Sequence, residues 1–148
     1  MEKEKYLKLA INLAEKSLKK GGFPVGAVVV KDNKVISEGL SLGGLKKDPT
    51  GHAEICAIRK ACKKLEQSNL DGATLYTSLE PCFMCLFAAK WAGIKNVVFA
   101  ARKTQEMVNK NYYESFTDIQ KMNKDCALGI ALECLSGFEE EILNLIKS

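Results

Sequence analysis

The architecture is predicted most clearly by residues 73–101, ATLYTSLEPCFMCLFAAKWAGIKNVVFAA, in which two short apolar segments flank a longer one. Residues 73–78 and 95–101 are rich in β-branched and aromatic side chains, which predicts two strands. Between them, Pro81 suits the first turn of a helix that Gly93 ends. A strand, a helix and a strand in this order predict a parallel pair joined by a right-handed crossover.

The segments on either side extend this pattern. Residues 52–65 carry apolar side chains at helical spacing, and a valine-rich hairpin precedes them with Asp32-Asn33 at its turn. The other predicted elements are a helix over 2–20, strands over 24–30 and 34–38, a loop over 39–50, a polar segment over 105–125 that leaves a short helix open, a strand over 128–134 and a helix over 137–147. Together they predict a single domain, residues 1–148, of the α/β class. We expect a three-layer α/β/α fold with a mixed five-stranded sheet and helices on both faces.

Bulk composition narrows the class of protein. The chain has 148 residues, 47% of them hydrophobic and 27% charged, which is enough apolar material for a core without disulfides. Its net charge of +4 is mild and only Arg59 and Arg102 are arginines, so nucleic-acid binding is disfavoured, although tRNA stays open. No apolar run is long enough for a membrane span, and the N-terminus does not resemble a signal peptide. We therefore expect a cytoplasmic protein with reduced cysteines.

Two short motifs hold the residues suited to chemistry, His52-Ala53-Glu54 and Pro81-Cys82-Phe83-Met84-Cys85. Each motif opens a predicted helix, and the topology brings both helix starts to the same edge of the sheet. Cys82 and Cys85 are three residues apart and therefore share one face of a helix. Two thiolates and one imidazole form a ligand set that suits Zn²⁺.

The number of ligands separates the two kinds of zinc site. A structural site is closed by four protein ligands, whereas a catalytic site uses three and keeps the fourth position for water. His52 is the only histidine and the other cysteines have core-like surroundings, which favours three ligands and a catalytic zinc. Glu54 is then free to carry a proton between water and substrate. A CxxC pair alone is also compatible with structural zinc or redox chemistry, but H-x-E followed by P-C-x-x-C is the signature of zinc deaminases.

From Pro24 to about Phe99 the chain resembles the cytidine and deoxycytidylate deaminase superfamily. The resemblance is carried by the stretches PVGAVVVKDNKVISEG, DPTGHAEICAIRKAC, LDGATLYTSLEPCFMC and IKNVVFAAR. The branch it resembles holds bacterial guanine deaminases, tRNA adenosine deaminases and fungal cytosine deaminase. The resemblance implies a hydrolytic deaminase that releases ammonia, with Zn²⁺ held by His52, Cys82 and Cys85 and with Glu54 as the catalytic carboxylate.

The resemblance to guanine deaminases extends to three further stretches, residues 57–65, 90–92 and 113–116. In that family the tryptophan that matches Trp91 lies at the active site, and an acidic residue in the last stretch contacts the purine. The resemblance therefore assigns Trp91 to substrate binding and Glu114 to catalysis over the substrate pocket. Two departures bear on the substrate. Ser41, or nearby Leu42, stands where the family usually has a substrate-holding asparagine, so Ser41 is the candidate for substrate binding there, and Glu114 replaces the usual aspartate.

Several substrates stay open at this point. The favoured one is a free nucleobase or related small heterocycle, above all guanine, with another aminopurine, a pterin or a triazine as variants. The alternatives are a tRNA-specific adenosine deaminase, which converts adenosine to inosine, and a cytosine or cytidine deaminase. Residues 102–107 lack the lysine, glycine and serine pattern of the tRNA enzymes, and the acidic residues 139–141 would repel phosphates.

The helix that follows the zinc cysteines predicts the oligomeric state. Its apolar side chains lie on more than one side, beyond what one sheet face covers, and they are Phe83, Met84, Leu86, Phe87 and Trp91. We therefore expect a homodimer.

Overall fold

The computed structural model describes residues 2–147, which form seven helices and five strands. In chain order they are α1 (Glu2–Lys19), β1 (Phe23–Lys31), β2 (Lys34–Ser41), α2 (Gly43–Lys46), α3 (Ala53–Leu65), β3 (Thr74–Thr77), α4 (Phe83–Trp91), β4 (Asn96–Phe99), α5 (Gln105–Asn109), α6 (Ile119–Asp125), β5 (Ala131–Cys134) and α7 (Glu139–Lys147). The apolar stripe of α1 is buried, and β1 is buried along all but its two end residues. None of the helices within residues 2–147 is long and apolar enough to cross a membrane.

The five strands form one mixed sheet, as the sequence predicts, and their order in it is β2-β1-β3-β4-β5. β1 runs antiparallel to both of its neighbours, β2 and β3, whereas β3, β4 and β5 are parallel. β2 therefore points in the same direction as β3, and the carboxyl ends of these two strands lie at one edge of the sheet. α3 follows β2 and α4 follows β3, so both helices begin at that edge.

Two glycines show which face each helix covers. Gly39 of β2 pairs with Ala27 of β1, and Gly26 is the preceding residue of β1, so Gly26 and Gly39 face opposite sides of the sheet. A Cβ on Gly26 would meet Ala10 of α1, and a Cβ on Gly39 would meet Ala53 of α3. α1 and α3 thus cover opposite faces, with α7 beside α1 and α4 beside α3. The predicted three-layer α/β/α arrangement is confirmed.

The polar segments differ most from the sequence-based prediction. Residues 39–50, predicted as a loop, contain the end of β2 and the short helix α2. Residues 105–125, for which the sequence allows one short helix, form two helices, α5 and α6. The residues before these helices, Thr104 and Asp118, accept hydrogen bonds from backbone N–H groups of the first turn. Both are ordinary N-capping side chains. The helices that they begin are hard to predict from sequence, because the segment has no clear apolar spacing.

Candidate metal centre and active site

The start of α3 presents His52 and Glu54. His52 is the N-cap residue in extended conformation, and its side chain makes no capping hydrogen bond, which leaves the imidazole available as a ligand. The backbone of α3 lies directly on β2, because a Cβ on Gly39 would stand only 2.0 Å from the carbonyl oxygen of Ala53. Glycine is therefore required at position 39 for α3 to begin at this place.

The start of α4 presents the two cysteines. Cys82 is the N-cap residue, also extended and also without a capping side-chain bond, and Cys85 lies one turn into the helix. Pro81 precedes them, and the residue before it is tied to the end of β4 by a hydrogen bond from Glu80 N to Ala101 O of 2.8 Å. Both thiols are buried.

The three predicted ligands converge. The Nδ1 atom of His52 lies 3.5 Å from Cys82 Sγ and 3.6 Å from Cys85 Sγ. All three donor atoms fall within 4.8 Å of one another. Zinc bonds of about 2.3 Å to sulfur and about 2.0 Å to nitrogen, at tetrahedral angles, place S and N about 3.5 Å apart. The donor set and its spacing therefore fit a zinc ion with three protein ligands.

The thiols of Cys82 and Cys85 differ in pKa. A hydrogen bond from the Cys85 thiol, with help from His52, lowers the pKa of Cys82 to about 5. The same bond, together with burial, raises the pKa of Cys85 well above its ordinary value. The hydrogen bond to Cys82 also raises the pKa of His52. Hydrogen bonds thus link the three side chains, and a metal ion that binds there displaces the protons of these bonds.

Glu54 lies beside the triad and is only 4% exposed. Burial raises its pKa to about 7, and the neighbouring Cys82 adds to that effect. A carboxyl group with a pKa near neutrality both accepts and returns a proton readily, as a general acid–base residue must. Its side chain lines the same cavity as His52 and Cys82.

The cavity has a volume of about 530 Å³, and its wall includes two of the three ligands, His52 and Cys82. That volume is within the range of small-molecule sites, about 300–1,000 Å³. Ser41, assigned from sequence to substrate binding, is on its wall, as are the segments 21–23 and 111–113. Two aromatic rings of these segments, Phe23 and Tyr112, meet edge to face with centroids 4.8 Å apart.

Glu114 lies beside the cavity and not among its lining residues. Its carboxylate oxygens accept hydrogen bonds from the backbone N–H groups of Phe83, at 3.1 Å, and Met84, at 3.0 Å. These are the first two amides of α4, which have no partner within the helix. Partial burial raises the pKa of Glu114, but the backbone hydrogen bonds, led by that of Met84, outweigh burial and hold the pKa below its usual value. The structure thus places Glu114 as a cap on the cysteine helix, where the sequence predicted a position over the substrate.

Trp91, predicted to bind substrate, lies away from the cavity of its own chain. It is the last residue of α4, 87% exposed, and it does not line the cavity of its own chain. The end of α4 is two turns from the cysteines that begin it, so the helix carries its tryptophan away from the metal ligands.

Sequence reasoning missed three residues around the first cysteine, namely Glu80, Lys103 and Tyr113. Glu80 lines the cavity and is 5% exposed, and Tyr113 donates a hydrogen bond of 2.6 Å to its carbonyl oxygen. The side chain of Lys103 is 10% exposed. The one local signal was a charged residue, Glu80, immediately before Pro81 in an otherwise apolar connection.

Comparison with known proteins agrees with this geometry. The profile of the cytidine and deoxycytidylate deaminase zinc-binding region matches residues 1–101, which include all three ligands and Glu54. Guanine deaminase of Bacillus subtilis is 50% identical over 105 residues, 70% of this chain and 67% of that protein, and its solved structure superposes with a TM-score of 0.67 at 37% identity, covering 84% and 90% of the two chains.

The tRNA-specific adenosine deaminase of Aquifex aeolicus is 44% identical over 101 residues, 68% of this chain and 67% of that protein. A solved tRNA:A34 deaminase, which edits A to I at the wobble position, superposes with a TM-score of 0.80 at 30% identity, covering 96% of this chain and 99% of its own. The mixed sheet agrees with the structural superposition on these relatives. The chain belongs to the cytidine and deoxycytidylate deaminase family, and zinc is the metal of its His52–Cys82–Cys85 site.

Proposed function

We propose that the protein is a zinc-dependent hydrolytic deaminase of a free nucleobase, and that the base is guanine. The observation that carries the proposal is the buried carboxylate of Glu54, which shares a small-molecule-sized cavity with two of the ligands, His52 and Cys82. A structural zinc site needs no proton carrier at its metal, whereas hydrolysis of a ring C–N bond does.

The residues divide the reaction between them. His52, Cys82 and Cys85 would hold the zinc, which would supply a water molecule with a pKa lowered toward neutrality. Glu54 would accept a proton as the water oxygen adds to the ring carbon, and would return it to the amino nitrogen, so that the exocyclic C–N bond breaks and ammonia leaves. The ring gains a carbonyl oxygen in place of the amine. Ser41 offers a hydroxyl on the cavity wall for binding the ring.

Two observations support a free base. The Phe23–Tyr112 pair gives the cavity an aromatic wall suited to a planar heterocycle. The first turn of α7 carries Glu139, Glu140 and Glu141, all exposed, which disfavours a polyanion on that part of the surface. The resemblance to guanine deaminases around residues 57–65 and 90–92 supports guanine over other bases.

A tRNA-specific adenosine deaminase is the second candidate. It is favoured by the near-complete overlap with the tRNA:A34 deaminase, whose chain is matched over 99% of its length. Both candidates use the same zinc site and the same carboxylate, and they differ in what enters the cavity.

We further propose that the active form is a homodimer. One face of α4 leaves Met84, Phe87 and Ala88 half-buried and Trp91 exposed, at positions that lie in a row along the helix. A second chain placed on this face would cover the apolar row. In such a dimer, Trp91 would contact the substrate site of the partner chain.

A substrate panel tests the proposed function. Ammonia release is measured for guanine, adenine, cytosine, their nucleosides and a tRNA anticodon stem, with Glu54→Gln as the inactive control. We expect guanine to give the highest kcat/KM. A preference for the tRNA stem would replace guanine by the second candidate, and no release above the control from any of them would refute both.

A further inference from the structure

Lys103 is a lysine enclosed next to the metal centre without being part of it. It follows the end of β4, its side chain is 10% exposed, and it does not line the cavity. Lysine is rarely enclosed to this degree unless its charge is compensated. Its surroundings therefore indicate what the ammonium group does.

The first set of contacts joins Lys103 to Glu80. The ammonium Nζ lies 3.8 Å from Glu80 Oε2, and the backbone N of Lys103 donates to Glu80 Oε1 at 3.3 Å. Glu80 is 5% exposed, and within residues 2–147 its Oε2 atom has no hydrogen-bond partner. The Lys103 ammonium thus compensates this buried carboxylate, and Arg102 makes a smaller contribution.

The second contact lies on the other side of the first zinc cysteine. The ammonium stands 4.7 Å from the centre of the Phe83 ring, a distance at which a cation is attracted to an aromatic face. Glu80 precedes Pro81-Cys82 and Phe83 follows it. One ammonium group therefore contacts both residues that flank the Pro81-Cys82 dipeptide.

The third set of contacts reaches the segment that carries Glu114. Lys103 Nζ donates to the carbonyl oxygen of Thr117 at 2.6 Å and lies 5.6 Å from the Tyr113 ring centre. These two residues lie on either side of Glu114, which caps the first two amides of α4. Lys103 is thus held between the connection that leads into α4 and the segment that caps α4.

We propose that Lys103 is a positioning residue of the zinc site, which fixes Cys82 through Glu80 and Phe83 and fixes the cap of α4 through Thr117. It touches neither the metal ligands' donor atoms nor the cavity. The proposal rests on the zinc site and is independent of which base is deaminated. Removing a side chain that orients a metal ligand typically weakens metal affinity by about 10–100-fold.

The test measures zinc affinity, which needs no substrate. Lys103→Met keeps an unbranched side chain only one atom shorter and removes its charge. Lys95→Met is the matched control, since Lys95 is 73% exposed and pairs with Asp71 at 3.6 Å on the surface. Zinc affinity is measured by competition with a chromogenic chelator, and the Co²⁺-substituted proteins are compared by their absorption spectra, which report thiolate geometry.

We expect Lys103→Met to bind zinc about 10–100-fold more weakly than wild type, with an altered Co²⁺ spectrum, and Lys95→Met to match wild type. A purely structural role would lower thermal stability alike with and without metal and leave both of these readouts unchanged, which would overturn the proposal. If Lys103→Met does not fold, the variant Glu80→Gln/Lys103→Met removes the uncompensated carboxylate. Because that variant still lacks the Phe83 and Thr117 contacts, we expect weakened zinc binding, and wild-type affinity would overturn the proposal.

Discussion

The two helix starts that form the metal centre are held in place by different means. α3 presents His52 and Glu54 because its backbone lies on β2, at a contact so close that only glycine fits at position 39. α4 presents Cys82 and Cys85 with its first amides bound by Glu114, from a segment about thirty residues further along the chain. One start is thus fixed by backbone packing and the other by side chains from a distant segment.

The difference follows from what each start has to hold. His52 is a neutral ligand when it binds metal, and its position needs only the close packing of α3 on the sheet. The cysteine start gathers two thiols, one of which has a pKa lowered to about 5, with the Glu114 carboxylate beside them. Like charges in a confined place need fixed hydrogen-bond donors, and the first two amides of α4 supply these to Glu114.

The largest effect is expected from the backbone contact under α3. Gly39→Ala would force a Cβ to within 2.0 Å of Ala53 O, so β2 and α3 must separate. We expect a loss of about 3 kcal/mol in the free energy of unfolding, as in other overpacked sites, and weaker zinc binding because His52 moves with α3. Denaturant unfolding and zinc titration measure both.

Gly44→Ala is the control for this change, since a Cβ there would meet nothing within 4 Å. Its stability should stay within about 0.5 kcal/mol of wild type or rise slightly. A Gly39→Ala variant as stable as Gly44→Ala would show that α3 is not fixed by backbone packing.

A smaller effect is expected from the cap of α4. Glu114→Gln keeps one acceptor for the two amides of Phe83 and Met84 but removes the charge, so we expect a loss of about 1 kcal/mol in stability. Turnover should fall by less than about tenfold if the cap is the whole role of this residue. Glu106→Gln, an exposed glutamate paired with Lys110 at 2.9 Å, is the matched control.

The same variant distinguishes capping from chemistry at Glu114. If turnover falls by about 10²–10⁴-fold while zinc content and stability are kept, the side chain carries protons or contacts the substrate, as the sequence resemblance predicts. Glu114 would then be a catalytic residue at the start of α4 and not only a helix cap.

Much of the metal centre was predictable from sequence, because it depends on local pattern and parallel topology. Residues 73–101 gave the strand, helix and strand correctly, and the order of elements placed both motifs at one sheet edge. The convergence of His52, Cys82 and Cys85 follows from these two facts. The three-layer arrangement follows from the apolar faces of the helices.

The placement of Glu114 and Trp91 was not predictable in the same way. Glu114 lies in a polar segment whose path depends on long-range contacts, such as that of Tyr113 with the Glu80 carbonyl, and apolar spacing carries no signal for them. Trp91 lies on a helix with apolar residues on several sides, so the pattern alone does not say which side faces the site.

The most direct test of the account combines zinc content with turnover in Glu54→Gln. The variant keeps all three ligands, so we expect about one zinc per chain, as in wild type. It loses the proton carrier, so ammonia release should fall by about 10²–10⁴-fold, while Glu66→Gln, the same change at the other end of α3, stays at the wild-type rate. A zinc-loaded Glu54→Gln protein within about tenfold of wild-type turnover would contradict the assignment of Glu54 and the mechanism that depends on it.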